Sequence, residues 1–207
     1  MKPRFLITAG PTREFLDPIR FLSNRSSGKM GYALARAARP YGTVTLVSGP
    51  VALKPPQGVT VVAVTTAQEM AEAVLKRFDE TDVIIMAAAV CDFRPRRVAA
   101  RKIKKDGFSG LLELVPTVDI LAALGKRKQH QILIGFAAET NDLESNAREK
   151  LRRKNLDLIV ANDASAMESE TNRVTLFYRD GRVERLSEMP KTRVAQAILR
   201  RIIALRT

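Results

Sequence analysis

The stretch Ser23-Asn24-Arg25-Ser26-Ser27-Gly28-Lys29-Met30-Gly31 concentrates small, hydroxylated and cationic residues just ahead of a helical apolar pattern. Ser26, Ser27 and Gly28 would supply free backbone N–H groups and hydroxyls at the helix start, and Lys29 adds a cation. A helix N-terminus built this way is a ready anion site, because unpaired donors and the helix macrodipole point at the ligand. The same residues also describe an ordinary N-cap followed by a solvated lysine, and by themselves they leave both readings open. Further along, Ala87-Ala88-Ala89-Val90 is a run of small residues that lets a ligand approach the backbone. Lys150 and Lys154, four apart, emerge from one helix face and either converge on phosphates or form a plain surface pair.

The most basic segment runs from Arg94 to Lys105, where seven of twelve residues are Arg or Lys and none is acidic. Self-repulsion of this kind disfavours compact packing and predicts a mobile loop. The whole chain carries a net charge of +13 over 207 residues, so its partner is expected to be anionic. Nucleic acid, an acidic membrane surface and phosphorylated small molecules all fit that charge. A nucleic-acid-binding module would interleave aromatics with the cations, yet only Phe93 and Phe108 flank the basic segment. Several chemistries are disfavoured outright. One cysteine, Cys91, forms no intramolecular disulfide and has no neighbouring His or Cys to complete a zinc site. The single histidine, His130, lies in a polar stretch expected to be a solvated loop, which argues against Ser-His-Asp and Cys-His mechanisms.

The elements that must position these residues read as alternating strands and helices. Phe5-Leu6-Ile7-Thr8-Ala9 is a strand closed by the turn signal Gly10-Pro11-Thr12, and Met30, Ala33, Leu34 and Ala37 recur on one helix face. Thr43–Ser48 and Val59–Val64 are strands joined by a proline-rich connector too short for a helix. Thr66 and Glu69 form a capping box for a helix whose inner face is Met70, Ala71, Val74, Leu75 and Phe78. Asp82–Met86 is a continuous apolar strand of the kind buried on both faces of a parallel sheet. A helix with Asp119 in its first turn, a strand over Gln131–Phe136, a helix over Leu143–Lys154 and a sixth strand over Leu156–Val160 follow. Val174–Tyr178 and Val183–Leu186 make a hairpin around Asp180-Gly181, and a last helix starts at Lys191 with Val194, Ala197, Ile198, Ile202 and Leu205 on one side.

This order predicts one α/β domain over residues 1–207: a Rossmann-like, doubly wound, mainly parallel sheet with a C-terminal β-hairpin extension. Ligands of such sheets sit outside the C-terminal strand ends, where the polar residues above fall. No apolar run reaches the length of a membrane span, and the chain enters a strand pattern without a signal peptide, so cytoplasm is the expected compartment. The first loop lacks a G-x-G-x-x-G fingerprint, and no Walker lysine pattern is present, which disfavours hydride transfer and P-loop chemistry.

Six separated motifs, in order, carry a resemblance. They are Ile7–Glu14, Ser23–Gly31, Ala87–Pro95, Lys102–Lys105, Gly135–Thr140 and Ala161–Asp163. The chain resembles phosphopantothenoylcysteine synthetase, the phosphopantothenate–cysteine ligase of coenzyme A synthesis, over nearly its whole length. The resemblance implies a ligase domain without the flavin-dependent decarboxylase half found beside it in many bacterial proteins, and hence no flavin. It implies CTP as co-substrate, with 4′-phosphopantothenate and L-cysteine as substrates. It also implies Mg²⁺ held mainly by phosphate oxygens and water, and a homodimer for which the hairpin near Val174–Leu186 is a candidate element. Neither nucleic acid nor membrane is an implied partner, and an ATP-using ligase is the alternative on the same fold.

By the same resemblance, Asn24 matches the catalytic asparagine that converts an acyl-cytidylate, and Lys102 matches the lysine of a flexible flap that reaches CTP. Gly10, Ser26, Ser27, Gly28, Ala88, Asp92, Val118, Asp119, Ile120, Leu121, Phe136, Lys150 and Lys154 match nucleotide-binding positions. There are two departures: Cys91 stands where alanine is more common, and Thr117-Val118-Asp119 stands where Asn-Pro-Asp is usual.

Overall fold

A computed structural model describes residues 2–106, 110–139, 142–163 and 169–206. Six parallel strands form the centre of the main sheet: β1 (Arg4–Ala9), β4 (Thr43–Ser48), β5 (Thr60–Ala63), β6 (Val83–Met86), β9 (Ile132–Glu139) and β10 (Leu158–Asp163). An antiparallel hairpin, β11 (Thr171–Tyr178) and β12 (Val183–Pro190), extends that sheet to the order β12-β11-β10-β9-β6-β1-β4-β5. Counted among the parallel strands alone, this is the 3-2-1-4-5-6 order of a doubly wound fold, and its direction reverses between β1 and β6. The connector from β4 to β5 carries no helix, as its proline content predicts.

Alternation along β1 explains how the sheet is covered. Phe5, Ile7 and Ala9 face α1 (Lys29–Ala38) and α5 (Lys191–Ala204), whereas Leu6 joins the layer of α2 (Ala67–Leu75), α3 (Ile120–Arg127) and α4 (Leu143–Arg153). Each fully buried aliphatic side chain in these layers, Leu34 and Leu124 among them, stabilises the fold by roughly 1.5–3 kcal/mol. The buried face of α1 is Gly31, Tyr32, Ala33, Leu34, Ala35 and Ala38, with Met30 and Ala37 only partly covered. That face is wider than the predicted stripe because α1 is wedged between the sheet and α5. Leu75 is likewise only partly covered, and the wholly buried Phe78 lies past the end of α2. The Thr66 hydroxyl accepts from the Glu69 N–H at 3.1 Å, but the Glu69 carboxylate takes the Thr65 N–H rather than that of Thr66.

Gly31 is where α1 touches β1. A Cβ at this position would lie 2.5 Å from the Ala9 Cβ and 2.9 Å from the Thr8 carbonyl oxygen. Gly31→Ala is expected to cost about 1–3 kcal/mol by overpacking, read in a thermal melt as a fall in Tm of roughly 2–4 °C for each kcal/mol. An unchanged Tm would contradict this contact.

Two short antiparallel ribbons have no counterpart in the sequence reading: β2 (Arg13–Phe15) with β3 (Phe21–Ser23), and β7 (Phe93–Pro95) with β8 (Leu114–Pro116). They correct the view of the basic segment as a free loop. Arg94 and Pro95 lie in β7, and Arg96 pairs with Glu113 at 2.5 Å. The Ala99 N–H donates to the Leu16 carbonyl at 2.9 Å. Ile103 is gripped on both sides of its backbone, its N–H donating to Asp17 at 3.2 Å and its carbonyl accepting from Arg20 at 2.9 Å. Arg96 and the backbones of Ala99 and Ile103 therefore find partners outside their own segment, which the local composition does not reveal. Asp119 is the N-cap of α3, one residue ahead of the predicted first turn, and its carboxylate accepts from the Ala122 N–H at 3.0 Å. His130 is exposed in a bend, as expected. Phe108 and Thr140 lie outside the described residues.

Candidate functional site

The loops after β1 and β6 are stitched together at the point where the strand order reverses. The Ala88 N–H donates to the Thr8 hydroxyl at 3.1 Å, the Ala89 N–H to the Gly10 carbonyl at 2.9 Å, and the Thr12 N–H to the Ala89 carbonyl at 3.2 Å. Cys91 belongs to this stitching: its N–H donates to the Thr12 hydroxyl at 2.9 Å. Burial pushes its thiol above the usual cysteine range, which suits a packing role rather than a nucleophile. Asn24 closes the seam from the other side, its amide nitrogen donating to the carbonyls of Ala89 at 3.1 Å and Val90 at 3.0 Å.

This seam forms the floor of a cleft with two connected lobes. The larger, of about 670 Å³, is lined by Ala88, Asp92, Val118, Asp119, Ile120, Leu121, Phe136, Lys150 and Lys154, together with Thr117 and Arg153. The smaller, of about 360 Å³, shares Ala88, Val90, Asp92, Phe136 and Lys150 and adds Asn24, Ser26, Met30, Asn162, Asn172 and Lys191. In the larger lobe Lys154 pairs with Asp119 at 2.8 Å, and Lys150 donates to the Phe136 carbonyl at 3.3 Å. Burial raises the Asp119 carboxyl, but the Lys154 hydrogen bond, the Ala122 N–H and the charges of Lys154 and Arg153 together hold it below its ordinary value.

Eleven of the fifteen sequence-predicted positions therefore line one continuous cleft: Asn24, Ser26, Ala88, Asp92, Val118, Asp119, Ile120, Leu121, Phe136, Lys150 and Lys154. The other four, Gly10, Ser27, Gly28 and Lys102, are absent from the lining of both lobes. Gly10 and Gly28 both have positive φ, and a Cβ on Gly28 would come within 3.4 Å of the Gly10 backbone. Gly28 is the N-cap of α1, whose first residue is Lys29, and the Ser27 hydroxyl is buried without a hydrogen-bond partner. Lys102 is absent from both lobes and lines a separate depression with Leu16, Arg20 and Ile103. Lys29, read as a free cation at the helix start, is paired with Glu170.

Asn172 and Lys191 escaped the sequence reading. A signal for Lys191 was present: lysine at the first position of a helix opposes the macrodipole, which favours acids there. Asn172 gives no such signal, because one polar residue in a strand is unremarkable.

A 3-2-1-4-5-6 sheet with a lysine-lined cleft at its switch point defines the class: a Rossmann-like α/β domain suited to anionic ligands. The chain belongs to the family described as DNA/pantothenate metabolism flavoprotein C-terminal domain, whose model matches residues 1–205. It is 52% identical over 206 residues to the coenzyme A biosynthesis bifunctional protein CoaBC of Bacillus subtilis (strain 168), covering 97% of this chain and 51% of that protein. The chain thus spans about half the length of the curated relatives it matches. The crystal structure of the C-terminal domain of a CoaBC protein superposes with a TM-score of 0.86 at 49% identity, covering 98% of this chain and 95% of that one. A Cab2 mutant in complex with phosphopantothenate-cysteine superposes with a TM-score of 0.82 over 99% of this chain and 86% of that one. Its identity is 18%, so it speaks for the fold alone.

Proposed function

We propose that the chain is a CTP-dependent phosphopantothenate–cysteine ligase acting in coenzyme A biosynthesis. The observation that carries the reading is the two-lobed cleft, in which residues from four of the six motifs converge with Val118–Leu121, Lys150 and Lys154. A carboxylate is a poor electrophile, so amide formation needs a leaving group. In this reading the carboxylate oxygen of 4′-phosphopantothenate attacks the α-phosphorus of CTP, and the bond to the diphosphate breaks with its electron pair. The amine of L-cysteine then attacks the acyl carbon, CMP departs, and the amine loses a proton. The larger lobe takes the nucleoside, with Ile120, Leu121 and Phe136 against the base and Lys150 and Lys154 toward phosphates. The smaller lobe, floored by the Ala87–Val90 loop that Asn24 holds, takes the reacting carboxyl. The protein's part is positioning and charge neutralisation.

Among the described residues no group of three or more His, Cys, Asp or Glu is placed to hold a metal. The reading has Mg²⁺ held mainly by phosphate oxygens and water, with Asp92, which lines both lobes, as a carboxylate beside it. Bound there, Mg²⁺ would supply charge neutralisation of the polyphosphate. The reading assigns the +13 charge to these anionic substrates rather than to nucleic acid or a membrane surface. No helix of the described residues is long and apolar enough to cross a membrane, and we place the reaction in the cytoplasm.

A homodimer is part of the reading, with its contact moved from the hairpin to the short ribbons. The large hydrophobics exposed there include Ile19, Phe21, Phe93 and Leu114, whereas β12 presents Glu184, Arg185 and Glu188. Charged residues on an edge strand guard it against pairing.

The deciding experiment follows pyrophosphate release with 4′-phosphopantothenate, comparing CTP with ATP. Release from CTP before cysteine is added is the expected result. Release only after cysteine addition would remove the separable cytidylate step, and preference for ATP would reassign the nucleotide.

A further inference from the structure

We infer that Asn172 receives the amine of L-cysteine: its side-chain oxygen accepts one amine N–H and leaves the nitrogen lone pair free for the acyl carbon. The inference rests on the ligase reading for the identity of the amine, and on the structure for the acceptor. Alternation along β11 puts Asn172, Val174, Leu176 and Tyr178 on one face, and the last three are buried in the layer of α1 and α5. Asn172 continues this apolar stripe with an amide. β11 runs antiparallel to β10, with Val174 opposite Asn162, so its first residues lie at the C-terminal edge of the parallel strands. The β11–β12 register also shifts between Asn172 and Val174, an irregularity of the kind that re-aims a side chain beside a site. Asn172 is 5% exposed, lines the smaller lobe, and keeps a buried side-chain oxygen without a hydrogen-bond partner. An unpaired buried acceptor is unfavourable, and a ligand that brings a donor relieves it.

The unpaired atom is an acceptor, so its occupant offers an N–H or O–H; a phosphate or carboxylate oxygen would leave it unpaired. The charges of the lobe narrow the choice further. Lys150 and Lys191 line it against one carboxylate, Asp92, so a neutral donor is favoured over one that adds positive charge. The α-carboxylate that cysteine carries suits the same surroundings. A neutral amine is also what amide formation needs, because an ammonium has no lone pair with which to attack. A carboxylate at position 172 would hold the amine as ammonium, whereas an amide oxygen accepts its N–H without favouring protonation. In the step itself the N–C bond forms, the bond from the acyl carbon to the CMP oxygen breaks with its electron pair, and the surplus proton passes to water. Asn172 holds an N–H and takes no proton. The Asn24 amide is engaged with the Ala89 and Val90 carbonyls, so the two asparagines have different tasks.

Single-turnover assays that separate the two half-reactions test this role. Asn172→Leu is expected to release pyrophosphate from CTP and 4′-phosphopantothenate at the wild-type rate, yet to convert the acyl-cytidylate with cysteine roughly tenfold more slowly. Its Tm should equal or exceed that of the wild type, because the variant buries no unpaired oxygen, and slower amide formation is then not a loss of folding. Asn172→Asp gives a signature that a merely structural role would not produce. Its carboxylate stabilises the ammonium, so the rising limb of amide formation against pH should move up by about one unit or more. A wild-type rate of amide formation in Asn172→Leu would overturn the inference, as would an unshifted limb in Asn172→Asp. Slower pyrophosphate release with amide formation unaltered would give the oxygen to phosphopantothenate or CTP and equally overturn it. Failure of the ligase reading looks different: the wild type itself would release no pyrophosphate from CTP, and the inference would fall with it.

Discussion

The Asn24→Asp variant is expected to turn over about 10²–10³ times more slowly than the wild type, a loss of roughly 3–4 kcal/mol in transition-state stabilisation. The substitution keeps the size of the side chain and replaces its NH₂ donor by an oxygen. In the structure that donor spans the carbonyls of Ala89 and Val90, at 3.1 and 3.0 Å. A carboxylate in the same place would face two carbonyl oxygens with no hydrogen between them, and the Ala87–Val90 floor of the smaller lobe would shift. Negative charge would also stand beside the oxyanion that forms when cysteine attacks. Both effects bear on the amide-forming step, so acyl-cytidylate should accumulate and be visible by mass spectrometry. Both hydrogens of the Asn24 amide are engaged with the backbone here, so Asn24 acts first as a positioning residue for that loop. Direct donation to the reacting oxygen requires one of those bonds to open. Normal turnover in Asn24→Asp would sink both roles.

Lys102→Gln is expected to slow cytidylate formation by about tenfold or more, the scale of one charge-assisted hydrogen bond lost. The structure places Lys102 in a depression apart from the cleft, next to the Ile103 backbone held by Asp17 and Arg20. Asp17 is fully buried, and its carboxyl is held well below the usual range by the Arg20 hydrogen bond, with the N–H groups of Ile19, Arg20 and Ile103 adding to the effect against its burial. For Lys102 to reach nucleotide phosphates, the segment must move relative to this clamp, and bound polyphosphate supplies the attraction. A closed segment would also exclude water from a hydrolysable acyl phosphate. Arg97, exposed on the same segment, is expected to matter little: Arg97→Gln should give a small, salt-sensitive effect. Hydrogen exchange with and without CTP checks the motion. The amides of Ala99 and Ile103 already have acceptors, so added protection is expected elsewhere between Arg94 and Lys105. Unchanged protection at saturating CTP would rule the lid out, and normal cytidylate formation in Lys102→Gln would remove its lysine from the chemistry.

Much of this protein is written in local patterns. Continuous apolar runs such as Val83–Met86 can only be strands buried on two faces, and the proline-rich link from β4 to β5 cannot hold a helix. Six strands alternating with helices then leave few topologies, and the doubly wound sheet is the one observed. Most cleft residues were named through the family resemblance, and the fold brings them together because the C-terminal ends of parallel strands share one edge wherever the strands lie in the sheet.

What the chain order could not express was decided by contacts between distant stretches. The three-residue strands of β2, β3, β7 and β8 are too short to show a period, and they exist only because partners across the loops complete their ladders. The Arg94–Lys105 segment reads as self-repelling until Asp17, Leu16 and Glu113 are brought beside it. Lys29 looked like a free cation for an anion site because Glu170, 141 residues away, is invisible in its neighbourhood. Asn172 and Lys191 are ordinary residues in their own elements. Only the packing of α5 against α1, with β11 alongside, places a buried lysine and an unpartnered amide oxygen in one lobe. Periodicity and turn chemistry are properties of neighbouring residues and survive in a linear reading; charge pairing and desolvation are properties of the assembled surface, and only the tertiary structure sets them.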